Sequence, residues 1–312
     1  MAAKVKQQTN KKLSRRILEN WQLYLLLFPV ILYLIIFAYG PMAGIVIAFE
    51  DFKPYKGIFG SNWVGMKHFI RFFAMNKFKL ALKNTVTISL YSLIAGFPLP
   101  IILALLLNTC PYMRLKKTVQ TVTYAPHFIS MVVIVGMLRV FFSPTTGIVG
   151  NLLRSLGLLN GSLMVLTSPS AFPHLYVWSG VWQGMGWSSI IYLGALTGVD
   201  PSQHESAVID GANKLQRIIH IDLPAITPTI VVLLIMNSGS IMNVGFEKVF
   251  LLQNSLNLSA AETISTYVYK VGIQDSQYSF STAINLFNSI INFALLVIVN
   301  SISRALGETA LW

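Results

Sequence analysis

Two kinds of residue in this chain could do chemistry: a carboxylate-bearing island, and amides and hydroxyls set within apolar segments. The island is Glu205-Ser206-Ala207-Val208-Ile209-Asp210-Gly211-Ala212, followed by Ile221-Asp222-Leu223-Pro224, and it lies between two long uncharged apolar stretches. Ser202-x-x-Glu205 has the spacing of a capping box, in which a hydroxyl and a carboxylate exchange bonds with free amides at a helix start. Pro201 just upstream pre-sets the entry. Gly211 can take a positive φ and turn the chain into a second short helix through Leu215, Ile218 and Ile219. Leu223-Pro224 is expected to stop that helix, with Pro228 in the first turn of the next one. The residues by themselves fit two readings equally: a rigid helix–turn–helix that touches another surface, or a solvated loop in which Glu205 only caps a helix.

The second set is dispersed. Ser281, Asn285, Asn288, Ser289 and Asn292 recur at helical spacing, and Asn237, Ser238, Ser240 and Asn243 form a similar group. Amides and hydroxyls both donate and accept, which suits passing sugar hydroxyls. Interhelical hydrogen bonding, worth about 0.6 kcal/mol per bond in membranes, explains such residues equally well. Trp182, with Trp178 and Trp187, offers faces for sugar rings, although interfacial anchoring is the commoner use of tryptophan. Gly180-x-x-x-Gly184 predicts close helix packing. Gln183 completes the candidate pathway residues.

Other chemistries lack their parts. No Gly-x4-Gly-Lys-Ser/Thr loop is present to cradle a nucleotide, so the chain must take its energy from elsewhere. The apolar segments are nearly bare of the ionisable groups on which an ion-coupled transporter relies. Neither a Ser/His pair, paired aspartates nor His-Glu-x-x-His occurs in them. His68, His127, His174, His204 and His220 have no metal-ligand spacing, and Cys110 is the single cysteine. No metal or cofactor is expected in this chain.

The elements that would position these residues are membrane helices. The chain has 312 residues, is 54% hydrophobic and only 11% charged, and has a mean hydropathy of +0.63. Long charge-free stretches predict an all-α integral membrane protein of about six spans, roughly 22–48, 84–108, 118–142, 175–197, 225–246 and 280–303. A kink is expected at Gly40-Pro41, and Pro169-Ser170-Ala171-Phe172-Pro173 ends the loop before the fourth span. Phe69, Phe72, Phe73 and Phe78, interleaved with basic residues, suit a short helix resting in the outer interface. Gly147 and Asn151 fall in an outer loop, and another outer segment covers Glu262–Ser279. The whole of 20–312 reads as one domain, with the polar element at 202–224.

The net charge of +12 lies mostly at span ends, so lipid phosphates, rather than nucleic acid, are its partners. Lys4, Lys6, Lys11, Lys12, Arg15 and Arg16 make residues 1–19 a basic arm, which predicts a cytoplasmic N-terminus. Six spans then put the 202–224 element and the C-terminus on the cytoplasmic side.

The island resembles the EAA signature of ABC-importer permeases, the MetI-like transmembrane domains: Glu-Ala-Ala, three residues, Gly, nine residues, Ile-x-Leu-Pro. Ser206 stands where Ala is usual, and every other fixed position matches. The resemblance covers most of the chain. Trp178-x4-Gln183-x-Met185-Gly186-Trp187, Tyr192-Leu193-Gly194-Ala195-Leu196 and Val199-Asp200-Pro201 are similar to the fourth span of carbohydrate permeases. Tyr124-Ala125-Pro126-His127-Phe128-Ile129-Ser130, Thr266-Tyr267-Val268-Tyr269 and Gly307-Glu308-Thr309-Ala310-Leu311-Trp312 are similar to the branch handling polysaccharide fragments and oligosaccharides. What the resemblance implies is a non-catalytic subunit of the bacterial plasma (inner) membrane. A second homologous permease, two ATPase subunits holding ATP and Mg, and an extracytoplasmic solute-binding protein would be its partners. Glu205, Ser206, Ala207, Asp210, Gly211, Ala212, Leu223 and Pro224 would form the coupling helix that receives force from the ATPase.

Overall fold

The first apolar segment forms helix α1, Trp21–Phe49. The computed structural model describes residues 20–143, 147–157, 165–307 and 309–312; the basic arm 1–19 lies outside them. The interruption expected at Gly40-Pro41 takes the form of a change in helix type. A π turn, Leu34–Tyr39, precedes the proline, and a 3-10 stretch, Ala43–Phe49, follows it. Such turns re-satisfy backbone groups that a proline leaves without a partner.

A two-stranded antiparallel ribbon follows, with Glu50 opposite Trp63 and Asp51 opposite Asn62. Helix α2, Lys67–Ala74, then departs from the interfacial role read from the sequence. Phe69 and Phe72 are buried, as is Phe78 just beyond, while Phe73 is half-exposed. Phe72 lies 4.5 Å from Phe78 and 5.5 Å from Phe287, ring centre to ring centre, and the Arg71 guanidinium sits 4.5 Å over Phe280. The apolar face of α2 is covered by protein because Ala48 and the start of the last helix pack against it.

Helix α3, Asn76–Thr109, starts eight residues before the expected span and carries Lys77, Lys79 and Lys83 on its first turns. The span expected at 118–142 is two helices, α4 (Met113–Phe128) and α5 (Met131–Phe141), bent by 103°. Pro126 closes α4 with a 3-10 turn, Ile129 is extended, and Ser130 caps α5 through Val133 N. The residues around Asn151, expected as loop, form helix α6, Ile148–Ser155, with Gly147 at its extended N-cap.

Helix α7, Phe172–Leu196, starts inside the stretch expected to end the loop, with Pro173 in its first turn, where a missing amide costs nothing. It is the centre of the bundle, packed along α3 and against α4 and the helix that follows the island. The close approach falls at Gly186, where an added Cβ would collide with the Thr123 backbone carbonyl, and not at Gly184, which has nothing within 4 Å. Trp187 stacks on His127 at 4.5 Å, and Trp178 Nε1 donates to Tyr91 Oη.

Helices α8, Pro201–Ile209, and α9, Lys214–Ser238, carry the island. The expected stop at Leu223-Pro224 does not occur: α9 runs through it and ends at Ser238, short of 246. A π turn, Ile218–Asp222, sits directly before the proline, and Leu223 N bonds Ile218 O five residues back. The wider turn absorbs the missing proline amide. The stretch between α9 and the last helix, including residues 262–279, is helical and largely buried. It contains α10, Phe246–Leu252, and α11, Ile264–Tyr269, which runs on into a π turn, Lys270–Gln274. Asn84 and Thr85 of α3 hold it, Asn84 donating to Ser259 O and Glu262 O and Thr85 accepting from Ile264 N. Helix α12, Tyr278–Ala305, closes the chain.

Among the described residues, four helices (α1, α3, α9 and α12) are long and apolar enough to cross a membrane, five if the bent α4–α5 pair counts as one. The remaining expected span, α7, is long enough but rich in Gly, Ser and Trp, and it is only partly covered by the other helices, with Trp178, Trp182, Trp187 and Ile191 exposed.

Candidate functional site

The island is built as two helices joined by a fully bonded turn. The cap read from Ser202 and Glu205 falls elsewhere: Asp200 Oδ1 accepts from Ser202 N at 3.0 Å, and Ser202 lies inside the helix. Asp200 is the better cap because its carboxylate meets the positive end of the helix. The hydrogen bonds from Ser202 hold its carboxyl below the usual value. At the other end Gly211 has φ 81, as its sequence position predicts. Ala212 N donates to Ala207 O at 2.8 Å and Gly211 N to Val208 O at 3.1 Å, the double closure of a Schellman motif. A reciprocal capping box then starts α9, with Asn213 N donating to Gln216 Oε1 and Gln216 N to Asn213 Oδ1.

Glu205, Ser206, Asp210 and Gly211 are exposed, together with Val208, Ile209 (86% exposed), Leu215 and Ile219. Ala207 and Ala212 are half-buried in a concavity in the crook of the two helices, which Asp210, Gln216, Arg217 and His220 also line. Leu223 is half-buried and Pro224 exposed. The arrangement presents both charge and apolar surface on one rigid wedge.

What ties the wedge to the bundle is Asp222, which is fully buried. Its Oδ1 takes the Asn108 amide from the end of α3 at 3.2 Å and lies 3.3 Å from His204 Nε2 on α8. Sequence reasoning missed this trio. A lone aspartate entering an apolar run was the available signal, and His204 was weighed only as a metal ligand.

A second site lies within the bundle. A cavity of about 390 Å³ opens between α3, α7 and α9 and is lined by Ser89, Ser92, Ser188, Asn237, Ser240 and Asn243. Among the described residues Ser89 Oγ, buried there, has no hydrogen-bond partner, and nothing in the spacing of the residues singled it out. Of the residues expected along a pathway, Asn237, Ser240 and Asn243 line this cavity. Asn288 and Asn292 reach it indirectly, both donating to Asn243 Oδ1, at 3.1 and 3.0 Å. Asn292 also accepts from Met242 N, so it pins the end of the island's long helix region to α12. The others sit apart. Asn285 lines a separate hollow with Phe246 and Tyr269, and Ser289 Oγ donates to Asn285 O on its own helix. Gln183 donates to Ile129 O at the α4–α5 bend, and Trp182 borders an apolar cavity of about 450 Å³.

Residues 96–308, which hold both the wedge and most of the cavity wall, match the family described as binding-protein-dependent transport system inner membrane component. The chain belongs to that family. It is a membrane component of a transport system and so has a translocating, non-catalytic part. Within the family it is 41% identical over 307 residues to the polygalacturonan/rhamnogalacturonan transport system permease protein YteP of Bacillus subtilis (strain 168), covering 98% of this chain and 95% of that one. It is 42% identical to protein LplB of the same organism, covering 94% and 92%. Its fold is similar to that of a chain in a bacterial alginate ABC transporter complexed with an alginate pentasaccharide-bound periplasmic protein. There the TM-score is 0.87 at 40% identity, with 96% of this chain and 100% of that one covered.

Proposed function

We propose that this chain is one of two different permease subunits of an ATP-driven importer that carries an oligosaccharide or polysaccharide fragment across the bacterial inner membrane. The reading is carried by the exposed α8–α9 wedge, capped at both ends and tied to the bundle through buried Asp222. A rigid element with a buried anchor can transmit displacement, whereas a solvated loop would dissipate it. In this reading α8 is the coupling helix, facing the cytoplasm with the N-terminus, and Glu205 makes a charged contact in a cleft of an ATPase subunit. ATP and Mg belong to those ATPase partners.

Transport follows alternating access. ATP-driven closure draws the two coupling helices of the permease pair together, and α9, continuous with the wedge, shifts the cavity wall that bears Asn237. Ligands shift such equilibria only through contacts that differ between states. The cavity lies within the roughly 300–1,000 Å³ of small-molecule sites and offers hydroxyl and amide partners for sugar hydroxyls. An extracytoplasmic solute-binding protein delivers the sugar, which leaves chemically unchanged. A relative named for polygalacturonan and rhamnogalacturonan transport, and a similar chain in an alginate ABC transporter, support a glycan cargo.

The test is co-purification of an ATPase with the tagged chain, followed by ATP hydrolysis in proteoliposomes with and without binding protein and oligosaccharide. Stimulation by the loaded binding protein is expected. Absence of an associated ATPase, or an outward-facing 202–224 segment by cysteine labelling, would overturn the proposal.

A further inference from the structure

Lys248 is buried, with only 5% of its surface exposed. It stands in α10, the first turn-bearing element after the cavity wall. Its Nζ donates to Tyr176 O at 2.8 Å and lies 4.8 Å over the Tyr176 ring. Among the described residues no carboxylate is within ion-pair distance of it. An ammonium taken out of water needs compensation, and one carbonyl with one ring face uses a single N–H of its three.

The surroundings are open on one side. Lys248 borders a hollow of about 260 Å³ with Ser92, Gly96, Tyr176 and Gly180. Gly180 supplies no side chain, and a Cβ there would already press on Lys248 Nζ at 3.2 Å. Three of the same residues, Ser92, Gly96 and Tyr176, also line the larger polar cavity, so the two spaces share a wall. That larger cavity is lined by hydroxyls, amides and apolar groups, with no charged side chain on its wall. The buried ammonium is therefore the dominant fixed charge beside it, and at short range in a poorly solvated site such a charge is weakly screened.

We propose that Lys248 is a specificity-determining residue that favours oligosaccharides bearing carboxylates, those built from uronic acids, over neutral ones. The proposal rests on the reading of this chain as an oligosaccharide permease and adds the class of sugar and the residue that selects it. A carboxylate entering the smaller hollow would take the free ammonium N–H groups in charge-assisted bonds while its neighbouring hydroxyls meet Ser92 and the amides beyond. The competing role is a mechanical pin between α10 and α7, which would support any cargo alike.

The measurement is direct binding of trigalacturonate and of its fully methyl-esterified form to the assembled permease–ATPase complex, without binding protein, so that the receptor's own preference does not enter. The native complex should bind the acid about tenfold more tightly than the ester, the size of one charge-assisted hydrogen bond. Lys248→Gln should bring the ratio near one while ester binding persists, and Lys248→Arg should keep the preference. Ser92→Asp, placed on the shared wall, should turn the preference toward the ester, and it serves as the test should Lys248→Gln fail to assemble. An acid-to-ester ratio near one in the native complex, or a ratio unmoved by Lys248→Gln or Ser92→Asp, overturns the proposal and leaves the oligosaccharide reading standing. Failure of the native complex to bind trigalacturonate overturns this proposal as well, while co-purification of the ATPase decides the importer reading separately.

Discussion

His204 Nε2 lies 3.3 Å from Asp222 Oδ1, and this contact joins the short polar helix to the long one that enters the bundle. Because Asn108 holds the same oxygen, the end of α3 is fixed to the wedge at the same point. Asp222→Ala is expected to strip both donors of their acceptor, at a cost of about 1–3 kcal/mol. His204→Gln, which keeps a donor, should cost less. Thermal melting of the purified complex measures the stability. The ratio of sugar transported to ATP hydrolysed should fall more for Asp222→Ala than for His204→Gln. Equal ratios in both variants and the native protein would show that the tie plays no part in transmission.

Gly211 occupies the left-handed region at φ 81 with open space where a Cβ would go. The penalty for a side chain is therefore one of backbone conformation alone, about 1–2 kcal/mol. Gly211→Asn should be tolerated best, Gly211→Ala less, and Gly211→Val least, in the order of melting temperatures. Coupled ATP hydrolysis should decline in the same order, since the turn sets the angle between α8 and α9.

Asp200 gives the wedge a defined acid sensitivity. Its carboxyl is held below the usual value by the Ser202 amide and hydroxyl. A depressed carboxylate contributes stability that is fully present above the ordinary value, about pH 4, and is lost as pH falls through the lower folded value. Coupling at neutral pH should thus be insensitive to this group. Asp200→Asn keeps an acceptor and should flatten the acid limb of the wedge's hydrogen-exchange protection, while Asp200→Ala should weaken protection of the first turn of α8 most at neutral pH and less as the carboxylate protonates.

Gly186 faces the Thr123 backbone so closely that no Cβ fits. The neighbour is main chain and cannot rotate away. Gly186→Ala should destabilise the α4–α7 contact by about 1–3 kcal/mol, and Gly184→Ala, with nothing near it, by far less. Detergent-solubilised melting curves of the two variants should therefore separate clearly.

Asn243 accepts from both Asn288 and Asn292 and also faces the cavity, while among the described residues the Asn237 side chain bonds within its own helix, to Leu233 O. Asn237→Ala should lower the rate of sugar translocation with little change in melting. Asn243→Ala should lower both, its two interhelical bonds being worth about 0.6 kcal/mol each. Matched losses of stability in the two variants would argue that the amides serve packing alone.

Much of the architecture follows from residue order, and the exceptions have local causes. The apolar runs at 22–48 and 280–303 become helices because a chain in lipid must satisfy its own backbone groups. Gly211 announces its turn because no other residue takes positive φ so cheaply. The stop expected at Leu223-Pro224 failed because proline's cost depends on the hydrogen bonds around it, and a π turn five residues long removed the conflict. Phe69, Phe72 and Phe78 carried an interfacial pattern but became core, since which face of a helix meets protein depends on elements more than 200 residues away, such as Phe280 and Phe287.

Spacing and composition alone determined that this is a helical membrane chain with a charged island between its fourth and fifth apolar segments, because periodicity and solvation act locally along the chain. Only the tertiary structure decided that the Asp222 side chain would be buried between His204 and Asn108, that α7 would pack along α3 and against α4, and that Lys248 would stand beside the cavity. Those outcomes depend on which distant groups meet in a low-dielectric interior, where pairing and packing, not sequence order, set the energy.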